Sequence, residues 1–560
     1  MFRLFFVTAL FFASLLVHAQ LNPFSYDNIK TSGAEHAAVV SAHTLASDAG
    51  LQMMKQGGNA FDAAIATQLA LAVVYPGAGN LGGGGFMVAH LANGKNIALD
   101  FRETAPAKAS RDMYLDATGN PVTVLSMEGH FASGVPGSVA GIFEMFKYAK
   151  LPFAKLIAPA IALAEKGFAL TPAQAADFNN SRETFLRVNK NKIPFVKNIP
   201  WQAGDTLIQT DLANTLKRIR DAGIKGFYEG ETANLISRSM RGSKGIITKA
   251  DLKNYKARFR EAMEFPYEGY SVITMPLPSS GGIILEQLLK MTEQKKLSSF
   301  PFQSAQSVQL MAEAERRAFA DRAEFLGDPD FVKVPVKTLV SDAYLGARMA
   351  DYIPGKAGSS KATGAGIIHE SEQTTHFSVM DDEGNAVSVT TTLNDHFGNK
   401  TMISGAGFLM NNEMDDFSVK PGTPNMYGAV GNDKNAIAPG KRMLSSMTPT
   451  IVLKDNKPYI VVGTPGGTTI PTSVFQTIVN IIDYKLSPQD AVNKPKFHHQ
   501  WLPDEIFIEK DFSGATKQEL ELMGYTVTPR VNIGRTELIE CNKIKIAVAD
   551  KRGDDDARGF

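Results

Sequence analysis

Thr374–Thr392 reads TTHFSVMDDEGNAVSVTTT. Its two arms, Thr374–Met380 and Ala386–Thr392, are rich in β-branched residues, which suit strands. Between them, Asp381-Asp382-Glu383-Gly384-Asn385 is a turn-forming cluster. A hairpin centred on Glu383 pairs residues equidistant from it, so Met380 faces Ala386, Ser378 faces Ser388 and Thr374 faces Thr392. Directly opposed side chains stand about 4.5–5.5 Å apart at Cβ, which brings two threonine hydroxyls within hydrogen-bonding reach. A one-residue bulge in either arm would undo the alignment.

A Thr–Thr pair is by itself ordinary in a sheet; what singles this one out is its position. Thr374 begins a strand, and the stretch upstream includes Pro354–Gly366, PGKAGSSKATGAG, which is small, polar and without apolar period and reads as a flexible linker. Were the Gln373–Thr374 bond cut, Thr374 would carry a free α-amine, with a pKa of about 7.7–8.0. Base and nucleophilic hydroxyl would then lie on one residue, the threonine form of nucleophile activation.

Working outward, a second hairpin is expected at Thr450–Leu453 and Tyr459–Val462, turning at Asp455-Asn456. Gly463-Thr464-Pro465-Gly466-Gly467 follows, then a helical stretch, Ser473–Leu486, and a further helix opened by Ser487-Pro488. Toward the N-terminus, Ser47 or Asp48 is positioned to cap a helix ending at Gly57-Gly58, and a second helix spans Ala60–Val74, stopping before Pro76. Gly82–Gly85 leads into a strand at Phe86–Leu91, which turns at Asn93-Gly94 into Ile97–Phe101. From about Pro152 to Ala347, amphipathic helical stretches alternate with Pro and Gly breaks, without an internal repeat. Mixed helices and prominent hairpins define an α+β chain whose sheets are covered by helices.

The 560 residues carry 58 Lys and Arg against 57 Asp and Glu, a net charge of +1. That balance excludes a chain-wide basic field for nucleic acid or an anionic membrane. With 44% hydrophobic and 21% charged residues, a large core is available. Cys541 is the sole cysteine, so neither an internal disulfide nor a cysteine zinc site is open to the chain. Met1–Ala19, MFRLFFVTALFFASLLVHA, has a basic start, an apolar run from Leu4 to Val17 and a small-residue end, the layout of a secretory signal peptide. The expected mature protein is exported, periplasmic or secreted, and not membrane-bound; no later stretch reaches spanning length.

At these residues the chain resembles the gamma-glutamyltransferases (gamma-glutamyl transpeptidases). The resemblance runs through GNLGGGGFM (Gly79–Met87), LDFRETAP (Leu99–Pro106), GVPGSVAG (Gly134–Gly141), PLPSSGG (Pro276–Gly282), TTHFSV (Thr374–Val379), TTTLNDHFG (Thr390–Gly398), NNEMDDF (Asn411–Phe417), LSSMTPT (Leu444–Thr450), GTPGG (Gly463–Gly467) and FHHQWLPDE (Phe497–Glu505). It implies the four-layer αββα sandwich of the N-terminal nucleophile hydrolases. It also implies a precursor that cuts itself between Gln373 and Thr374. After loss of residues 1–19, residues 20–373 become a large chain and 374–560 a small one, interleaved in one core as a heterodimer.

The implied reaction transfers a gamma-glutamyl group from glutathione or a related amide to water or an amine, without metal or other cofactor. In that resemblance Thr374 is the nucleophile and Thr392 its hydrogen-bond partner, while Gly466 and Gly467 form the oxyanion hole. Arg102 holds the substrate's α-carboxylate with Ser445 and Ser446; Asn394, Glu413 and Asp416 hold its α-ammonium. Tyr427, in the Pro- and Gly-containing stretch Pro421–Asn435, matches a lid tyrosine of some bacterial members. Phe377 stands where close bacterial relatives often carry tyrosine, which removes a hydroxyl.

Other features read as structural. Gly82–Gly85 lacks the spacing of a nucleotide-binding loop and fits close backbone packing. His498 and His499 would point to opposite faces of a strand, an awkward pair for one metal. The acidic run Asp554-Asp555-Asp556 is expected to be a solvated tail. Two rival functions remain: a cephalosporin acylase, whose glutaryl-type substrate lacks the ammonium that Glu413 and Asp416 would meet, and an exported binding protein that never cuts itself.

Overall fold

The computed structural model describes residues 23–24, 27–363, 374–420 and 432–560. Two seven-stranded sheets form its centre. From edge to edge the first contains Asp556–Gly559, Ala38–Ser41, Thr375–Met380, Ala386–Thr392, Gly84–His90, Asn96–Asp100 and Arg258–Arg260. The second contains Thr31–Ala34, Lys545–Val548, Glu537–Cys541, Lys457–Gly463, Thr450–Lys454, Tyr270–Thr274 and Met263–Tyr267. The hairpin register is the expected one: Thr375 faces Thr391, Ser378 faces Ser388 and Met380 faces Ala386.

The period of two along these strands sorts side chains into layers. Phe377, Val379, Val387 and Val389 join an apolar core with helices Thr44–Lys55, Ala60–Val74 and Phe153–Lys166 on the outer face of the first sheet. Val272, Val452, Ile460 and Val462 do the same on the second, against helices Gly281–Gln294, Ala305–Phe325 and Thr469–Ile482. Between the sheets, Val40, Phe86, Val88, Ile273, Ile451 and Val461 form a third core. The result is the four-layer αββα sandwich. Polar side chains also cross the sheet interface: Ser378 Oγ donates to the Glu537 carbonyl (3.1 Å) and Ser388 Oγ to that of Val462 (3.2 Å), so each buried hydroxyl is satisfied.

The second hairpin forms as expected, with Asp455 and Asn456 at φ +51° and +59°, the twist that a two-residue turn needs. Four expectations are corrected. The first helix begins at Thr44, capped by His43; Ser47 lies inside it, where its hydroxyl donates to the Asp556 carbonyl (3.0 Å). The helix expected from Ser473 starts at Thr469, two residues after Gly467, and ends at Ile482. The acidic run is no solvated tail. Thr171 Oγ1 donates to Asp554 (2.5 Å), Arg535 Nε meets Asp555 (2.9 Å), and Asp556 opens an edge strand beside Ala38–Ser41. Finally, part of the supposed linker is tied down. Ser360 is buried at the start of the short helix Ser360–Thr363; its N–H donates to Asp504 (2.8 Å) and its carbonyl accepts from Trp501 Nε1 (2.9 Å). Among the described residues no helix is long and apolar enough to cross a membrane. Residues 1–19 and Tyr427 lie outside the described residues.

One buried carboxylate joins two helical segments. Asp62 accepts from the backbone N–H groups of Asn59 (2.8 Å), Lys150 (2.9 Å) and Leu151 (2.8 Å). Asp62→Ala strands three donors, so a loss of about 3 kcal/mol is expected, read as a lower urea midpoint. A loss below about 1 kcal/mol would mean that other groups satisfy those donors.

Candidate active site

Thr374 stands just before the central strand Thr375–Met380 and is almost fully buried, 7% exposed. Continuing the ladder one step beyond Thr375–Thr391 places it opposite Thr392. Thr392 is held from several sides. Its Oγ1 accepts from the Asn394 N–H (2.8 Å), and its carbonyl accepts from Asn80 Nδ2 (2.9 Å). On its other flank it pairs with Gly84. The glycine run is there for contact: a Cβ on Gly83 would lie 2.0 Å from the Thr392 carbonyl oxygen, and one on Gly85 2.3 Å from that of Thr390. Behind Thr374, buried His376 bonds Thr390 (2.9 Å) and Ser378 (3.1 Å), and burial lowers its pKa to about 3, so it is neutral.

The strand Lys457–Gly463 delivers the Gly-Gly pair to the same place. Gly466 and Gly467 have φ of +139° and +57°, the region that side chains disfavour. A Cβ on Gly466 would also meet Thr469 Oγ1 at 2.3 Å. Among the described residues neither amide N–H has a backbone acceptor, and Gly467 and Gly466 each line a cavity that Thr374 also lines.

Arg102 follows the strand Asn96–Asp100 and is 1% exposed. It is no surface ion pair. Nη1 meets Glu413 Oε2 at 2.5 Å, Nη2 pairs with Asp416, and Glu103 lies 3.8 Å from Nη1. Its backbone is fixed by Asp100 and by Tyr255, whose hydroxyl donates to the Arg102 carbonyl (2.7 Å). Burial alone would lower the Arg102 pKa, but Glu413, Asp416 and Glu103 outweigh it and hold the group charged. The carboxyls shift upward, each chiefly through burial: Asp416 above its usual range, Glu413 well above it, and Glu103 to about 8 despite Arg102. Arg102 pulls each of the three carboxyls down, and Arg322 also pulls on Asp416, but burial outweighs both.

One cleft collects Thr374, Thr392, Gly467, Arg102, Asn394, Glu413, Asp416, Ser445 and Ser446. Of the described residues singled out in the sequence, only Gly466 lies elsewhere, lining a neighbouring cavity. Ser445 is positioned by Ser280, whose N–H donates to its carbonyl (2.7 Å). Several neighbours escaped sequence reasoning. Met447 and Ile470 line the cleft. Arg322, from the helix Ala305–Phe325, reaches Ser280 Oγ (3.1 Å) and Ser446 Oγ (3.3 Å); nothing in its helical surroundings marks it. Glu103 was within view, next to Arg102. His498 and His499 are buried: His498 bonds Thr472 and Gln500, each at 2.8 Å, and His499 Nδ1 accepts from the Trp501 N–H (2.9 Å). No group of three or more potential metal ligands of the His, Cys, Asp and Glu type occurs among the described residues.

A threonine heading a central strand, in a four-layer sandwich with free backbone donors beside it, is the arrangement of an N-terminal nucleophile hydrolase. Residues 46–560 match the family profile of gamma-glutamyltranspeptidase. The chain is 48% identical over 511 residues to the glutathione hydrolase proenzyme of Escherichia coli strain K12, covering 90% of this chain and 88% of that one. Among solved structures, cephalosporin acylase from Bacillus halodurans aligns with a TM-score of 0.83 at 26% identity, over 98% of this chain and 99% of its own. A chain of Helicobacter pylori gamma-glutamyltranspeptidase aligns at 0.56 and 45% identity, over 60% of this chain and 95% of its own. The protein belongs to the gamma-glutamyltranspeptidase family.

The raised Glu103 carboxyl predicts a pH dependence of stability. Its pKa moves from 4.5 to about 8 on folding, so the folded state binds the proton more tightly. Its contribution is full below about 4.5 and is lost as pH rises through about 8; Glu413 and Asp416 shift in the same sense. The urea midpoint should therefore fall between pH 5 and pH 9, and Glu103→Gln should flatten that fall. An identical slope in the variant would place the titration elsewhere.

Proposed function

We propose that the protein is a self-cleaving gamma-glutamyltransferase and glutathione hydrolase in which Thr374 is both nucleophile and base. The observation that carries this reading is the charge layout of the cleft. A cation, Arg102, and the carboxyls Glu413 and Asp416 line one pocket together with Thr374. That pattern complements an α-amino acid head group, carboxylate to Arg102 and ammonium to the acids, with the reacting carbonyl a side chain's length away.

In the proposed maturation, Thr374 Oγ1 attacks the carbonyl of Gln373, the amide C–N bond breaks to free the Thr374 α-amine as an ester forms, and water then hydrolyses that ester to give the Gln373 carboxylate and the free Thr374 hydroxyl. The products are residues 20–373 and 374–560. The Helicobacter chain that matches 60% of this one with 95% of its own length supports a division of this kind. The layout of Met1–Ala19 supports export to a periplasm or the exterior.

In turnover, the Thr374 amine accepts the hydroxyl proton as Oγ1 attacks the gamma-carbonyl. Gly466 and Gly467 supply backbone N–H donors to the oxyanion; one such donor typically contributes about 2.7–4 kcal/mol to the barrier reduction. Thr392 fixes the nucleophile's orientation. Arg102, Ser445 and Ser446 take the α-carboxylate, and Asn394, Glu413 and Asp416 the ammonium. Collapse expels the amine, and water or an amine acceptor then opens the gamma-glutamyl ester. Tyr427 is assigned to a lid over the pocket on sequence alone. A glutaryl donor, as in the acylase reading, would leave Glu413 and Asp416 facing no ammonium, which favours the gamma-glutamyl substrate.

Denaturing electrophoresis of the purified protein should give a larger and a smaller band, with Thr374 at the new N-terminus. Thr374→Ala should give one band and no release of nitroaniline from a gamma-glutamyl anilide; Thr374→Ser should retain part of both. Normal turnover in the alanine variant would overturn the mechanism. Arg102→Ala should weaken the gamma-glutamyl anilide far more than an anilide lacking the α-carboxylate; equal losses would remove Arg102 from that role.

A further inference from the structure

The helix Ala305–Phe325 is buried along most of its length, yet six of its buried side chains are charged: Glu313, Glu315, Arg316, Arg317, Asp321 and Arg322. Several bond to one another or to neighbouring helices. Arg316 and Arg317 both pair with Glu313, at 3.2 and 2.6 Å. Asp321 accepts from Gln287 Nε2 and from the Tyr344 hydroxyl, each at 2.9 Å. Arg322 turns toward the cleft instead. Its Nε donates to Ser280 Oγ (3.1 Å) and its Nη2 to Ser446 Oγ (3.3 Å). Ser445 and Ser446 are among the residues that line the cleft, and Arg322 is not, so the guanidinium stands behind the serines. A buried cation is costly to place, and this one acts on its surroundings: Arg322 draws the Asp416 carboxyl toward ionisation, against the burial that raises it.

The direction of these bonds matters. A guanidinium only donates, whereas a serine hydroxyl has one hydrogen and two lone pairs. Ser446 Oγ therefore accepts from Arg322 and keeps its hydrogen for an acceptor. Ser445 Oγ accepts from the Met447 N–H (3.2 Å), with the same result. Ser280 links the two. Its Oγ accepts from Arg322 Nε and donates to the Ser445 carbonyl (2.7 Å), which also accepts the Ser280 N–H (2.7 Å). Arg322, Ser280 and the backbone of Ser445 and Met447 thus form one frame that presents hydroxyl hydrogens. Such hydrogens suit an anion and not an ammonium, and a cation behind a hydroxyl polarises it into a stronger donor.

We propose that Arg322 is a positioning residue for donor recognition: without touching the donor, it holds Ser446 directly, and Ser445 through Ser280, with their hydroxyl hydrogens offered to the α-carboxylate. This role deepens the function proposed above and rests on it. Arg102 is already paired with Glu413 and Asp416, so the carboxylate it receives gains from donors that carry no acid of their own. The two arginines then have separate tasks: Arg102 meets the carboxylate, and Arg322 orients the hydroxyls beside it. Without Arg322, Ser446 Oγ can turn its hydrogen inward. That weakens any donor bearing the carboxylate and leaves one without it nearly unaffected.

The test uses the self-cleaved protein with gamma-glutamyl-4-nitroanilide as donor. 4-Aminobutyryl-4-nitroanilide keeps the ammonium and lacks the α-carboxylate; its binding is measured as competitive inhibition in the same assay, so slow turnover does not matter. Arg322→Gln should raise KM for the gamma-glutamyl anilide by roughly tenfold or more, the size of a lost hydrogen bond to a charged group. It should change kcat, and the inhibition constant of the aminobutyryl compound, by less than about threefold. Arg322→Lys, which keeps the charge without the planar fork, should recover part of the loss. Ser446→Ala combined with Arg322→Gln should cost little more than either change alone, because one residue acts through the other. Ser280→Ala breaks the link to Ser445 and keeps the cation. It should raise KM for the gamma-glutamyl anilide several-fold while sparing the aminobutyryl compound, and it decides the matter if Arg322→Gln does not self-cleave. An unchanged KM for the gamma-glutamyl anilide, or equal losses for the two compounds, would overturn the proposal. Absence of any nitroaniline release from the unaltered protein would instead overturn the function on which it rests.

Discussion

The backbone ladder between Thr375–Met380 and Ala386–Thr392 sets what the rest of the molecule must accommodate. It has no bulge, so the position before the first strand is fixed opposite Thr392 to within the pleat of a sheet. A slip of one residue would turn Thr374 to the helical face and carry Phe377 and Val379 out of their apolar core. The burial of those side chains therefore holds Thr374 in register. Gly83 and Gly85 close the other flank at distances no side chain allows, so the strand carrying Thr392 cannot drift from its neighbour. The site's accuracy comes from the middle of a sheet, where packing is least forgiving.

Charge imposes the second constraint. Arg102, Glu103, Glu413 and Asp416 are packed together where water is scarce. An isolated guanidinium there would be prohibitively expensive. The carboxyls keep it charged, and their own pKa values rise because burial disfavours their ionised forms more than one cation relieves. Such a cluster is poised for exchange. A ligand bearing both a carboxylate and an ammonium, as the proposed substrate does, replaces internal ion pairs one for one and adds no net charge to the interior. A ligand with the carboxylate alone would have to displace an acid from Arg102 without giving that acid a new partner.

Much of this was legible in the sequence where short-range chemistry decides the outcome. The Asp381–Asn385 turn, the alternation on either side of it, and the apolar helix Ala60–Val74 stopping before Pro76 depend on neighbours within a few residues, and each forms as read. The sites Arg102, Glu413, Asp416, Ser445 and Ser446 were legible only through a resemblance, because the chain brings them together from separate segments. The errors share one cause. Asp555 and Asp556 look solvated beside each other, but the fold sets them against Arg535 and Arg558, the latter at 3.0 Å from Asp556. Ser47 looks like a cap until His43 is seen to hold the Leu45 N–H (3.2 Å). Pro354–Gly366 looks unanchored until Trp501 and Asp504 are placed on Ser360. Arg322 left no local trace at all, since its partners Ser280 and Ser446 are remote in sequence.

The Gly466–Gly467 step then acquires a meaning beyond a tight turn. A single pair of positive-φ residues faces two cavities, one on each side of Thr374. A side chain at Gly466 would strike Thr469 and intrude on the turn that opens the helix Thr469–Ile482, so the course of the backbone past Thr374 depends on that missing Cβ.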